Sequence, residues 1–357
     1  MSTVTSGRGT PSSRLAADAV KGLHPAAFAF VMATGIVSAA AFLLGPSWLS
    51  GLLLALACAG LILLAAMLVA RLIAYRRSLA ADLQAPDRVF GFFTIVAGLD
   101  VLAARLDMAG HPLLTVVLGG LAGAVWLVLT YGVPATLMLA RKDASVLAGV
   151  NGGWLLWVVG TQSLAITASM MIAAYPAAAA TLATLAIALW SIGLILYLIL
   201  VALIMLRWLT VPMTPEVLGP PYWILMGATA ITVLAGAKIL GLPPVVPIIR
   251  DTAHFVEGFS FALWAFGTWW IPLLILLGLW RHVRQRWPLS YEPTLWSVVF
   301  PLGMYSAATF SFGKVAGLGF MEPLSRFMFW VAVAAWTAVA AAFVAQLARR
   351  PAKPTPS

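Results

Sequence analysis

Phe30-Val31-Met32-Ala33-Thr34-Gly35-Ile36-Val37-Ser38 is an apolar stretch interrupted by a glycine and small polar groups. The same texture returns four times. It reads Phe93-Thr94-Ile95-Val96-Ala97-Gly98-Leu99-Asp100, then Trp157-Val158-Val159-Gly160-Thr161-Gln162-Ser163, then Trp223-Ile224-Leu225-Met226-Gly227-Ala228-Thr229. The last copy is Trp296-Ser297-Val298-Val299-Phe300-Pro301-Leu302-Gly303-Met304-Tyr305-Ser306. Each has an aromatic residue, a glycine and a polar residue within three positions. Glycines 35, 98, 160, 227 and 303 stand 63, 62, 67 and 76 residues apart, and each interval holds two apolar runs. That period predicts five helical hairpins, all inserted in the same direction around an axis along the membrane normal.

Working outward, the apolar runs and their breaks predict ten spans: 25–44, 48–74, 89–108, 112–140, 153–174, 177–208, 221–241, 253–280, 294–318 and 324–348. Of the 357 residues 62% are hydrophobic and 9% charged, whereas a soluble domain carries about 25% charged residues to solvate its surface. Several runs exceed the roughly 20 apolar residues that span a bilayer. The fold class is therefore all-α integral membrane. Residues 1–23, rich in Ser, Thr and Gly, and 350–357 read as disordered tails around a domain at 24–349; the first 23 are no cleavable signal peptide.

The net charge of +10 lies in short clusters between the apolar runs, which points to topology and away from nucleic acid. With both termini cytoplasmic, sixteen of the twenty-one Lys and Arg residues fall on the cytoplasmic side. The other side keeps Arg105, Lys238, Arg250, Lys314 and Arg326. This asymmetry supports an even helix count and a multi-pass protein of a bacterial inner membrane. Cys58 is the lone cysteine, so neither an intrachain disulfide nor a cysteine-based zinc site can form.

Glycine and small polar groups at bilayer depth have two readings. They permit close helix packing, or they line a cavity, where irregular backbone is tolerated. Five in register, each followed by a polar group, favour the cavity. The even helices are longer and more uniformly apolar, as an outer ring facing lipid or neighbouring subunits should be. The expected architecture is an inner funnel of odd helices and an outer jacket of even ones.

His24-Pro25 through Ser38, Pro221-Tyr222-Trp223-Ile224 and Phe300-Pro301-Leu302-Gly303-Met304-Tyr305 resemble the tellurite-resistance/C4-dicarboxylate transporter family over residues 24–348. That family includes malate permease, a sulfite efflux pump and plant slow-type anion channels. The resemblance implies ten helices as five hairpins around a central pore, homotrimers with a pore in each protomer, transport of small anions, and a ninth-helix phenylalanine plugging the pore. Phe300 matches that phenylalanine, and Pro301 would kink the helix beside it; simple packing is the other reading of Phe300. The funnel is then expected to be lined by Thr34, Gly35, Ser38, Gly98, Gly160, Gln162, Gly227, Thr229, Pro301, Gly303 and Ser306. Uncharged donors would replace part of an anion's hydration shell without holding it too tightly.

Ionisable groups at this depth cost at least about 2.5–3.5 kcal/mol each and default to functional hypotheses. Asp100 reads either as a proton site or as a counter-ion for Arg105 or Lys314. Arg105 and Lys314 read as a cationic mouth, with Lys314 preferred as ion-facing and Lys238 nearer the outer surface; snorkelling is the bland alternative. His254 and Glu257, three apart, lack the second histidine of a metalloprotease motif. No phosphate-cradling loop followed by Lys-Ser/Thr occurs, and no metal or cofactor is expected. A proton-coupled exporter of C4-dicarboxylates or sulfite is the alternative, and an intramembrane enzyme a distant third.

Overall fold

In lipid every backbone polar group must be paired internally, so apolar runs of this length become helices. The computed structural model describes residues 11–139, 146–243 and 246–349. It holds ten helices long and apolar enough to cross a membrane, and no strand among the described residues. They are α1 (Pro25–Leu44), α2 (Ser47–Ala74), α3 (Val89–Asp107), α4 (Pro112–Leu139), α5 (Gly152–Ala174), α6 (Pro176–Thr210), α7 (Pro220–Leu240), α8 (Pro247–Arg284), α9 (Pro293–Val315) and α10 (Met321–Ala348). The largest departure from the expected limits is α8, which starts at Pro247. Proline is pre-organised for a first helical position, and the polar run through Arg250, Asp251 and His254 is helical, not a loop.

Two rings sort by burial. The odd spans have 72% to 89% of their most apolar window buried within the protein, the even spans 17% to 50%. α1 packs on α3, α3 on α5, α5 on α7 and α7 on α9, and α9 returns to α1. The inner ring is thus closed, and each outer helix lies against the inner helix preceding it. The repeat extends to helix starts: all five inner helices open on a 3₁₀ turn, at Pro25–Phe28, Val89–Phe92, Gly152–Leu155, Pro220–Trp223 and Pro293–Leu295. Three of these turns begin with proline, which needs no backbone partner at a helix start.

The face at which the inner helices begin is tied by charge. Asp82, on the short helix Arg76–Gln84, accepts from Arg71 of α2 at 2.6 Å and lies 3.1 Å from Arg88, just before α3. Residues 11–21, expected as part of a disordered tail, form a helix Pro11–Lys21; the Ser-rich composition hid a short amphipathic segment followed by a turn at Gly22. Residues 1–10 and 350–357, the remainder of the expected tails, lie outside the described residues.

A cavity on the axis of the inner ring

Toward the face where the inner helices end, all five contribute to one cavity. Its wall follows helical spacing: Ile36, Ala39 and Leu43 from α1, then Asp100 and Ala104 from α3 with Met108 just past its end. Ser163, Ile166 and Met170 come from α5, Leu234 and Lys238 from α7, and Met304, Ala307 and Ser311 from α9. Residues three, four and seven apart share one helix face, so each helix presents a single stripe to the axis. The volume is about 30 Å³, room for about two waters. The wall is apolar except for Asp100, Ser163, Lys238 and Ser311.

Asp100 is buried. Its carboxylate accepts from the Ser163 hydroxyl at 2.8 Å and from the Thr167 hydroxyl at 2.8 Å, both on α5. Gly119 of α4 closes over this contact: a Cβ there would stand 2.6 Å from the Thr167 methyl and 3.9 Å from the Asp100 carboxylate. Among the described residues no Lys or Arg forms a salt bridge with Asp100. Of the two readings, the counter-ion for Arg105 or Lys314 is not found; two hydroxyls from the neighbouring helix satisfy the group.

Beyond the cavity, on the side of α5, the start of α6 and the end of α7, lies a vestibule of about 740 Å³ bounded by Asp107, Ser169, Ala173, Pro176, Lys238 and Val246 among others. Met170, Lys238 and Ser311 line both spaces, and so mark the throat between them. One turn below the cavity-lining stripes stand Met32, Val96, Val159, Ala230 and Phe300, all buried and at most 3% exposed. Phe300 lies four residues before Met304 on the same face of α9 and is the one aromatic ring in that layer. At the opposite face a separate pocket of about 300 Å³ gathers Asp87, Asn151, Glu216, Tyr222, Arg281 and Glu292.

The small polar groups expected on the funnel wall turn the other way. Thr34 accepts from Trp336 of α10 at 3.1 Å, and Ser306 donates to the Ser325 carbonyl of α10 at 2.8 Å. Gln162 donates to the Trp190 carbonyl of α6 at 3.0 Å, Thr229 faces Gly267 of α8, and Ser38 exchanges bonds with Ser50 of α2. These groups fasten the inner ring to its jacket. Trp126 of α4 donates to Thr161 at 2.9 Å, Trp264 of α8 to Thr309 at 3.0 Å, and Trp190 of α6 to the Thr232 carbonyl at 3.0 Å. With Trp336 and Thr34, four of the five outer helices thus donate an indole N–H to the next inner helix around the ring. At the fifth position, between α2 and α3, the direction is reversed: Arg105 of the inner helix α3 donates to Ser50 of the outer helix α2.

Arg105 donates to Ser50 at 2.8 Å and to Ser38 at 3.1 Å, and its guanidinium lies 4.6 Å from the Phe42 ring centre. It is a tether between helices and does not line the cavity. Lys314 is exposed, 4.0 Å from Glu322 and over the Phe310 ring; it too is off the axis. The five glycines are seams within the inner ring. A Cβ on Gly35 would meet Val101 at 3.0 Å, on Gly98 Val31 at 3.5 Å, and on Gly160 Phe93 at 3.2 Å. On Gly227 it would meet Pro301 at 2.8 Å and on Gly303 Ile36 at 3.1 Å. Pro301 is accordingly a packing surface for α7. The expected lining set is displaced because a helix position read along the chain fixes depth but not azimuth. The residues missed, Ser163, Lys238, Met304 and Ser311, follow the stripe spacing, which was the available signal. His254 and Glu257 lie exposed on α8.

A closed ring of five helices around a narrow axial cavity, jacketed by five more of spanning length, defines a multi-pass membrane protein organised around that cavity. A family model described as voltage-dependent anion channel, SLAC1, matches residues 22–344. The chain belongs to that family. It is 26% identical over 331 residues to an uncharacterized transporter of Methanocaldococcus jannaschii, covering 89% of this chain and 92% of that one. A second uncharacterized transporter of the same organism is 23% identical over 272 residues, 75% and 77% of the two chains. An uncharacterized membrane protein of Mycobacterium tuberculosis is 47% identical over 153 residues, 43% of this chain and 77% of its own length.

Proposed function

We propose that this protein carries small anions across the membrane through the axial cavity, with Phe300 as the constriction at its floor. The observation that carries the reading is a single cavity walled by all five inner helices, with an ammonium group at its wide end and one aromatic ring in the sealed layer beneath. Anions gather in a cationic mouth before they enter, and the apolar wall below leaves few groups to hold them. The charge asymmetry of the loops orients the face where the inner helices begin toward the cytoplasm, in an inner membrane. The family resemblance supports assembly as a homotrimer with one conduit in each protomer.

Flux in proteoliposomes under defined voltage and pH gradients tests this. Phe300→Ala should pass several anions faster than wild type, independent of any proton gradient. Slower or abolished flux in Phe300→Ala would sink the constriction.

A second reading, proton-coupled export of C4-dicarboxylates or sulfite, is supported by Asp100. A carboxyl group on the cavity wall, held by hydroxyls and without a salt-bridge partner among the described residues, is suited to exchanging a proton with passing substrate. Under that reading flux tracks an imposed pH gradient and the tracking disappears in Asp100→Asn. Gradient-independent flux in both proteins removes it.

A further inference from the structure

The throat carries an inference beyond the conduit itself, although it rests on the axial cavity being the pathway. Lys238 leaves α7 in its last turn and lines both the vestibule and the cavity, as does Ser311 of the adjoining helix α9. No other basic residue lines either space among the described residues. Lys238 is half-buried and forms no salt bridge within 4.0 Å among the described residues. Asp107 lines the same vestibule wall, beyond salt-bridge distance; Asp100 lies deeper, engaged with Ser163 and Thr167. An ammonium that is partly desolvated and not neutralised by contact is an electrostatic vacancy for an anion. A hydroxyl on the neighbouring helix supplies an uncharged donor to add to it.

We propose that Lys238 and Ser311 form an anion-capture site at the throat, taking one small inorganic anion such as chloride or nitrate. The narrowness of the space below argues for that class: a cavity with room for about two waters admits a halide or nitrate and excludes a four-carbon dicarboxylate in this conformation. Capture here sets the concentration at which the pathway saturates, while Phe300 sets passage beyond it. The two residues therefore govern separable quantities.

Two readouts test the site. The first is the rise in thermal unfolding midpoint of purified protein in detergent as chloride or nitrate replaces gluconate, which needs no flux. The second is the half-saturating anion concentration for flux in proteoliposomes. In Lys238→Gln the anion-dependent midpoint shift should vanish and half-saturation should rise roughly five- to tenfold, as expected for losing one partly screened charge contact. Lys238→Arg should stay within about twofold of wild type, because it keeps the charge. Phe300→Ala made in the Lys238→Gln background should still accelerate flux at saturating anion.

Unchanged midpoint shifts and half-saturation in Lys238→Gln, with Phe300→Ala still fast, overturn the capture site and leave the conduit standing. A Lys238-dependent midpoint shift in a protein that passes no anion upholds the site and overturns the conduit. A shift produced by malate but not by chloride or nitrate overturns the small-ion assignment.

Discussion

Substituting Gly227 by Ala asks whether the repeated glycine is a seam or part of a pore wall. The added Cβ would stand 2.8 Å from Pro301 Cγ, 3.1 Å from its Cβ and 3.3 Å from its Cα. The closest approach is about 0.7 Å short of ordinary carbon–carbon contact. Because a backbone atom is among the neighbours, no rotamer change relieves it, and α7 must move off α9. Overpacking of this kind costs about 1–3 kcal/mol. The helix-propensity gain of glycine to alanine, about 1 kcal/mol, offsets part of it and obscures the sign. Gly120, on the exposed side of α4 with nothing within 4 Å of its Cβ position, supplies the control. Gly120→Ala shares the propensity gain without the contact. The difference between the two variants therefore isolates the seam, at about 1–3 kcal/mol, or a few degrees in unfolding midpoint. Tryptophan fluorescence during heating in detergent measures it. Pro301→Ala removes the proline ring and should return part of the loss in the double variant. Equal midpoints for Gly227→Ala and Gly120→Ala would refute the seam and restore Gly227 to the cavity wall.

Lys314→Gln should leave anion flux unchanged, since Lys314 is exposed beside Glu322 and off the axis; a fall in flux comparable to that of Lys238→Gln would contradict this. Trp264→Phe removes the indole donor to Thr309, and should cost about 0.6 kcal/mol of stability in detergent, the average for such bonds between membrane helices. His24 caps the first turn of α1, accepting from the Ala26 amide at 3.1 Å, and burial together with Arg88 lowers its pKa from 6.5 to about 4. The unfolded chain then takes up a proton before the folded one. Stability from this group is full above pH 6.5 and declines as pH falls through 6.5 toward 4. His24→Asn, which keeps a capping oxygen, should flatten that part of the midpoint-versus-pH curve; an unchanged curve would show that His24 does not titrate there.

The ring architecture was legible because its signal is periodic. Five Gly-polar breaks spaced by two apolar runs could arise only from repeated hairpins, and the contrast in composition between odd and even runs separated inner from outer. Azimuth was not legible. α1, α3, α5, α7 and α9 are buried nearly all round, so no polar face marks the axis. Thr34, Ser38, Gln162, Thr229 and Ser306 serve the jacket contacts, and a small polar residue reads alike in either role. Lys238 and Lys314 illustrate the same loss: both sit near the ends of inner helices, and only the turn of the helix decides which one meets the axis. Asp100 lies buried near the middle of α3, yet its partners, Ser163 and Thr167, lie 63 and 67 residues away and belong to a neighbour that sequence spacing does not name.

Closure of the inner ring also has a consequence for how the chain is made. α1 is made before the other nine spans, yet one of its flanks is covered only by the last hairpin, α9 and α10, and Thr34 finds Trp336 across 302 residues of sequence. Through most of synthesis the early hairpins therefore stand in the bilayer as an open arc, with the Ile36 and Val37 edge of α1 exposed to lipid. The arc becomes a ring only when the final hairpin docks. Truncation before α9 leaves an incomplete barrel of helices with two unsatisfied edges, and those edges are where quality control, or a neighbouring nascent chain, would first find purchase.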